Sequence, residues 1–189
     1  MGNAPHYFIA IHLPEHLQDF FSVWQDALYD KLPYKQWYNK KDLHITLKFL
    51  GAVEEQKFAE LHKALKEVKN LPAFNVNVGS IGTFGNPKKP RVLWAGVEKN
   101  DNIMAVWKKV EQAAIQVGFP RENREYRPHI TLAKKWMGEQ AASYDEVLFH
   151  IKKDFTAIEN MFVDEVTIFQ IHPSRSQKYE PVGRYSLKS

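Results

Sequence analysis

Apolar and polar residues recur along this chain with two periods, and the switches between them mark out its elements. Tyr7 to Leu13 is apolar and β-prone, a first strand. Pro14-Glu15 then opens a helix in which Leu17, Phe20, Phe21, Trp24 and Leu28 recur at helical spacing, and Pro33 ends it. A strand runs from His44 to Gly51. Glu54 to Lys69 reads as a second amphipathic helix, with Phe58, Leu61, Leu65 and Val68 inward and His62 off that stripe, in solvent. Phe74, Val76 and Val78 alternate with Asn75, Asn77 and Gly79, a half-buried strand. The stretch 79–87 reads as a turn-rich loop with Phe84 at its centre.

Val92 to Val97 is apolar on both sides, which predicts a central strand. Asp101 caps a third helix reaching about Gly118, with Ile103, Val106, Val110 and Val117 inward. Pro120 to Pro128 is a polar loop. Gly138 to Lys153 reads as a weaker fourth helix. Phe155 to Ile171 holds one or two strands, broken near Glu159-Asn160, and Tyr179 to Leu187 returns as a last strand after a turn at His172-Arg175. The succession of strands at the end predicts antiparallel pairing and an α+β class. No glycine-rich nucleotide fingerprint and no linker interrupts the order, so residues 1–189 are read as one domain.

One tetrapeptide occurs twice: His44-Ile45-Thr46-Leu47 and His129-Ile130-Thr131-Leu132. Each suits a strand that buries its Ile and Leu and turns its His and Thr to the other face. Side by side, two such strands bring two imidazoles and two hydroxyls together. Imidazole titrates near neutrality, so one ring can act as base while the other acts as acid; threonine hydroxyls are short donors for anionic oxygens. That combination suits a phosphodiester. A single copy reads more simply as a hydrogen-bonded structural histidine. His12, His16 and His150 are read as surface residues.

Composition narrows the picture. The 189 residues are 44% apolar, enough for a core, and carry a formal charge of +4, compatible with a phosphate-bearing ligand. With no cysteine there is no thiolate nucleophile or thiolate metal site. The start shows no signal-peptide pattern and no run spans a bilayer, so a cytoplasmic protein without membrane contact is expected, working as a monomer.

The paired motif with its flanks resembles the 2H phosphoesterase superfamily, and more narrowly the RNA 2′,3′-cyclic phosphodiesterases, also called the 2′-5′ RNA ligase family. The segments that carry this are Phe8-Ile9-Ala10-Ile11-His12-Leu13-Pro14, Leu43 through Gly51, Pro90 through Gly96, and Pro128 through Lys134. The resemblance implies two pseudo-symmetric lobes, each an antiparallel sheet with outer helices, around an active-site cleft. It implies His44 as general acid and His129 as general base, Thr46 and Thr131 on phosphate oxygens, and neither metal nor cofactor. Where the family often has arginine this chain has Lys134, whose phosphate contact depends on a bend or an end of its strand. Phe84 is placed either for base stacking or for loop packing; Phe8 is read as core. RNA ends are the expected partner. Small cyclic-phosphate nucleotides, reverse 2′-5′ ligation, or RNA-end binding without turnover are the alternatives.

Overall fold

The structure is a computed structural model and describes residues 3–138 and 143–189. Its elements in chain order are β1 (His6–His12), α1 (Glu15–Leu28), β2 (Tyr34–Trp37), β3 (His44–Ala52), α2 (Glu55–Ala64), β4 (Phe74–Asn86), β5 (Lys89–Val97), α3 (Asp101–Gln116), β6 (His129–Trp136), α4 (Ser143–Asp154), β7 (Ile158–Val163), β8 (Glu165–Ile171) and β9 (Tyr179–Ser186). The class is α+β. All named strands pair antiparallel in one sheet of order β7-β4-β5-β6-β3-β1-β8-β9, with β2 on β6.

The sheet has two unlike faces. On one, Ile9, Ile11, Ile45, Leu93, Ile130, Leu132 and Ile168 join residues of all four helices, such as Leu17, Leu61, Ile103 and Leu148, in a single buried cluster. On the other, β1 and β8 bury only the small group Phe8, Ala10 and Phe169, with Ile171 and Tyr179 packed against it. The helices therefore cover one face and leave the other open. Where two separate sheets were expected, the halves β7-β4-β5-β6 and β3-β1-β8-β9 are continuous through one residue pair, Ile45 opposite Ile130. Beyond that pair β2 takes the place of β3 along β6, with Trp37 opposite Ala133 and Tyr34 opposite Trp136. β2 was not foreseen: four residues are too short to declare a period.

Other boundaries move for identifiable reasons. The second helix tightens to 3-10 geometry over Leu65–Asn70, whose threefold spacing keeps both Leu65 and Val68 buried. His62 is half-buried, not solvated: its Nδ1 lies 2.6 Å from the Tyr185 hydroxyl. Stretch 79–87 is no loop, because β4 runs through it to Asn86 against β5. Asn100 rather than Asp101 caps α3, its side chain accepting from the Ile103 N–H at 2.9 Å; Asp101 sits in the first turn, where the helix dipole favours a carboxylate. The described part of α4 starts at Ser143; the expected start at Gly138 leads into residues outside the description. The break between β7 and β8 falls at Asp164, since Glu159 and Asn160 pair with Val78 and Asn77 of β4. Among the described residues no helix is long and apolar enough to cross a membrane.

One buried ion pair joins distant parts of the chain. Lys48 of β3 meets Glu111 of α3, both side chains 8% exposed. The same ammonium donates to the Pro120 carbonyl at 3.0 Å, and Glu111 accepts from the Glu122 N–H at 3.0 Å. The first motif strand is thereby fastened to the loop that delivers the second. Removing one partner strands a charge in the core, so Lys48→Met is expected to lose about 3–5 kcal/mol in urea unfolding. Lys48→Met combined with Glu111→Leu is expected to lose distinctly less than the two single changes summed.

Candidate active site

The site is built on the Ile45–Ile130 pair. Both isoleucines are fully buried in the helix-covered core. On an antiparallel pair, residues either side of such a position turn to the opposite face. His44 and Thr46 of β3, and His129 and Thr131 of β6, are therefore brought to the open face together. The register about this pair sets His44 across from Thr131 and Thr46 across from His129. The histidines are diagonal neighbours, a relation that separates α-carbons by about 7–8 Å.

Each ring is oriented by backbone two residues earlier. His44 Nδ1–H donates to the Asp42 carbonyl at 2.6 Å, and His129 Nδ1–H to the Arg127 carbonyl at 2.7 Å. A carbonyl only accepts, so in each neutral imidazole Nε2 carries the free lone pair. The Thr46 hydroxyl donates to His44 Nε2 at 3.0 Å. Aromatic rings pack against both: Phe8 lies 4.7 Å from His44, and Phe84 meets His129 edge-on at 4.8 Å. This apolar packing disfavours the charged form. Burial pushes the pKa of His44 down to about 4, outweighing the Asp42 carbonyl, with His12, His129 and Lys134 adding to the lowering. Burial also lowers that of His129, against the upward pull of the Arg127 carbonyl.

Three irregularities in the strands aim further side chains at the site. In β6 an extra residue at Leu132 shifts the register, so that Thr131 faces Trp94 while Ala133 faces Leu93. Leu132 and Ala133 both bury, and Lys134 emerges on the side of the histidines. β3 does the same one motif earlier: the shift falls at Leu47, Leu47 and Lys48 both bury, and Phe49 emerges 64% exposed. In β4 the shift is at Ser80, held at φ 61°. It reverses the alternation that buries Val76 and Val78, and turns Phe84 toward His129. Gly82 fits here because the Trp94 ring lies over it, 2.1 Å from where a Cβ would stand.

Two cavities flank the motif strands. One of about 330 Å³ is lined by His44, Thr46, Phe49, Tyr38, Lys134 and Tyr179, among others. One of about 610 Å³ is lined by His129, Thr46, Phe49, Phe84, Trp107 and Tyr126, among others. Thr46 and Phe49 border both, and Thr131 borders neither. The Lys134 ammonium sits 5.5 Å from the centre of the Tyr38 ring. Phe8 is core, as expected, and also a wall of the His44 side. His12 is exposed and donates through Nε2 to the Lys41 carbonyl at 2.7 Å. Among the described residues no three of His, Asp and Glu cluster as metal ligands.

Several contributors carried no signal in the sequence. Asp42 is buried, and its carboxylate accepts from the N–H groups of Lys178 at 2.7 Å and Tyr179 at 3.2 Å. Burial raises its pKa despite those bonds and the nearby His12 and Lys178. The Tyr126 hydroxyl donates to the Thr46 carbonyl at 3.0 Å, with its ring stacked on Trp107. Both link the motif to positions 80 or more residues away, beyond the reach of any local pattern.

With the geometry in view, similarity to known proteins is informative. The profile of the 2′-5′ RNA ligase superfamily matches residues 13–175. The RNA 2′,3′-cyclic phosphodiesterase of Bacillus subtilis (strain 168) is 35% identical over 185 residues, 97% of each chain. That of Geobacillus stearothermophilus is 33% identical over 185 residues, 96% of this chain and 57% of its own. In fold, the crystal structure of E. coli LigT complexed with 3′-AMP superposes with a TM-score of 0.79 at 22% identity, covering 98% of this chain and 99% of that one. The chain belongs to the 2′-5′ RNA ligase superfamily, within its RNA 2′,3′-cyclic phosphodiesterase family.

Proposed function

We propose that this protein hydrolyses the 2′,3′-cyclic phosphate at RNA 3′ ends to a 2′-phosphomonoester, by paired-histidine acid–base catalysis and without a metal. The observation that carries the reading is two imidazoles on one open face, each tied through Nδ1 to a backbone carbonyl, so that Nε2 is the nitrogen with a lone pair, shared at His44 with the Thr46 hydroxyl. His129 takes a proton from water as the water oxygen attacks phosphorus. The bond from phosphorus to the 3′ oxygen breaks, and His44 supplies the proton that this oxygen gains. Thr46 and Thr131 donate to the non-bridging oxygens, Lys134 balances their charge, and Phe84 stacks on a base. In this reading the two halves of the sheet serve as pseudo-symmetric lobes, related by the 85-residue offset between motifs. Reverse 2′-5′ ligation uses the same groups, with a ribose hydroxyl in place of water.

One observation favours exchanging the two roles. In the free protein burial lowers both rings from their ordinary value, so both are neutral at pH 7, and His44, pushed down to about 4, is held furthest in the state a base needs. For His44 to act as acid, the incoming phosphate anion must first raise its pKa. A substrate with sulfur in place of the 3′ oxygen discriminates, since a thiolate leaves without a proton. Alanine at the acid is rescued by that substrate, and alanine at the base is not.

Four outcomes are expected. In the presence of a chelator, purified protein converts a 2′,3′-cyclic RNA end to the 2′-phosphate; absence of turnover by wild type, or a 3′-phosphate product, contradicts the reading. His44→Ala and His129→Ala each lower kcat by about 10²- to 10⁴-fold, and Thr46→Ala and Thr131→Ala by less. The lowered pKa of His44 means the native state binds fewer protons than the unfolded chain between about pH 4 and 6.5. Its contribution to stability is intact above that window and falls as pH drops through it, by about 3 kcal/mol at most. Urea unfolding at pH 7 and pH 4.5 should therefore show a smaller acid loss for His44→Asn than for wild type. Finally, saturating inorganic phosphate should move the His44 and His129 titrations upward in NMR.

A further inference from the structure

We propose that the cavity on the His44 side contains a second anion subsite, formed by Lys135 and Lys178 beside Lys134, for the phosphate on the 5′ side of the reacting nucleotide. It rests on the hydrolysis proposed above and adds a substrate preference: cyclic ends of chains over isolated nucleosides.

The lining of this cavity includes three lysines and no aspartate or glutamate. Among the described residues none of the three ammonium groups enters an ion pair. The other cavity differs. There Lys48, Arg91, Arg124 and Arg127 are accompanied by Glu122 and Glu125; Lys48 is paired with Glu111, and Arg124 with Glu122 at 3.0 Å. The His44 side is thus the one whose lining carries basic residues and no acidic ones.

The lysines are also placed by specific backbone devices. Neighbours on a strand point to opposite faces, so Lys134 and Lys135 should not line one cavity. They do because Lys135 adopts φ 66°, a left-handed conformation that a long side chain rarely takes. Lys178 is held by its N–H on the Asp42 carboxylate, and the Asp42 carbonyl accepts the His44 Nδ1–H. One residue thus registers the subsite to the ring. A single phosphate between the histidines leaves the charge of Lys135 and Lys178 unanswered. A second phosphate, one ribose away on the same ligand, answers it.

The test compares adenosine 2′,3′-cyclic phosphate with its 5′-phosphorylated form, at several salt concentrations. Wild type is expected to favour the 5′-phosphorylated substrate by about tenfold or more in kcat/KM, chiefly through KM, and with a steeper salt dependence. Lys178→Ala and Lys135→Gly should each reduce that ratio several-fold; glycine relieves the left-handed backbone, so its effect reads the lost charge. Lys66→Ala, an exposed lysine lining neither cavity, should keep the wild-type ratio. Turnover of both substrates at equal efficiency overturns the subsite and leaves the hydrolysis intact. A preference that survives both lysine changes overturns the assignment to these residues. Turnover of neither substrate overturns the hydrolysis itself.

Discussion

The pairing of Ile45 with Ile130 is the constraint from which the site follows. Both side chains belong to the one large core beneath the helices. Burying them there leaves their neighbours no choice of face, because strand side chains alternate. Slipping either strand by one residue would bury a histidine and a threonine in that core and expose an isoleucine and a leucine. Hydrophobic burial on one side of the sheet therefore fixes which polar groups meet on the other, without any direct attraction between them.

The remaining site residues depend on places where that alternation is broken. At Leu47, Ser80 and Leu132 an extra residue shifts the register, and Phe49, Phe84 and Lys134 come out on the open face as a result. The shifts at Leu47 and Leu132 occupy equivalent positions of the two motifs, yet they deliver an aromatic ring in one half and an ammonium in the other. The two sides of the cleft are alike in backbone and unlike in chemistry. The shift in β3 has a second consequence: it carries Lys48 into the core, where Glu111 receives it and the loop leading to His129 is fastened.

Positioning is shared by groups that meet no ligand in the proposed reaction. The Asp42 carboxylate holds the start of β9, its carbonyl holds His44, and the Tyr126 hydroxyl holds the backbone of Thr46. Phe8 packs against the His44 ring, and Phe84, which also meets the ligand in that reaction, packs against the ring of His129. The same apolar packing that fixes the imidazoles lowers their pKa values, so orientation and proton affinity are set together.

The sequence by itself determined the strands and helices with strong periods, the α+β class, and the two-fold occurrence of His-Ile-Thr-Leu. These are local properties: spacing of apolar residues and the chemistry of four adjacent side chains. It also supplied the family resemblance. It did not determine that 79–87 is strand, that Lys134 reaches the cleft, that His62 is tied to Tyr185, or that Asp42 and Tyr126 brace the motif. Each of those depends on a partner strand or on a residue far along the chain. A bulge exists only relative to the strand it is paired with, and a buried carboxylate is stable only once its distant donors arrive. Tertiary structure decided these because they are properties of pairs, and the members of each pair lie too far apart for any window of sequence to contain both.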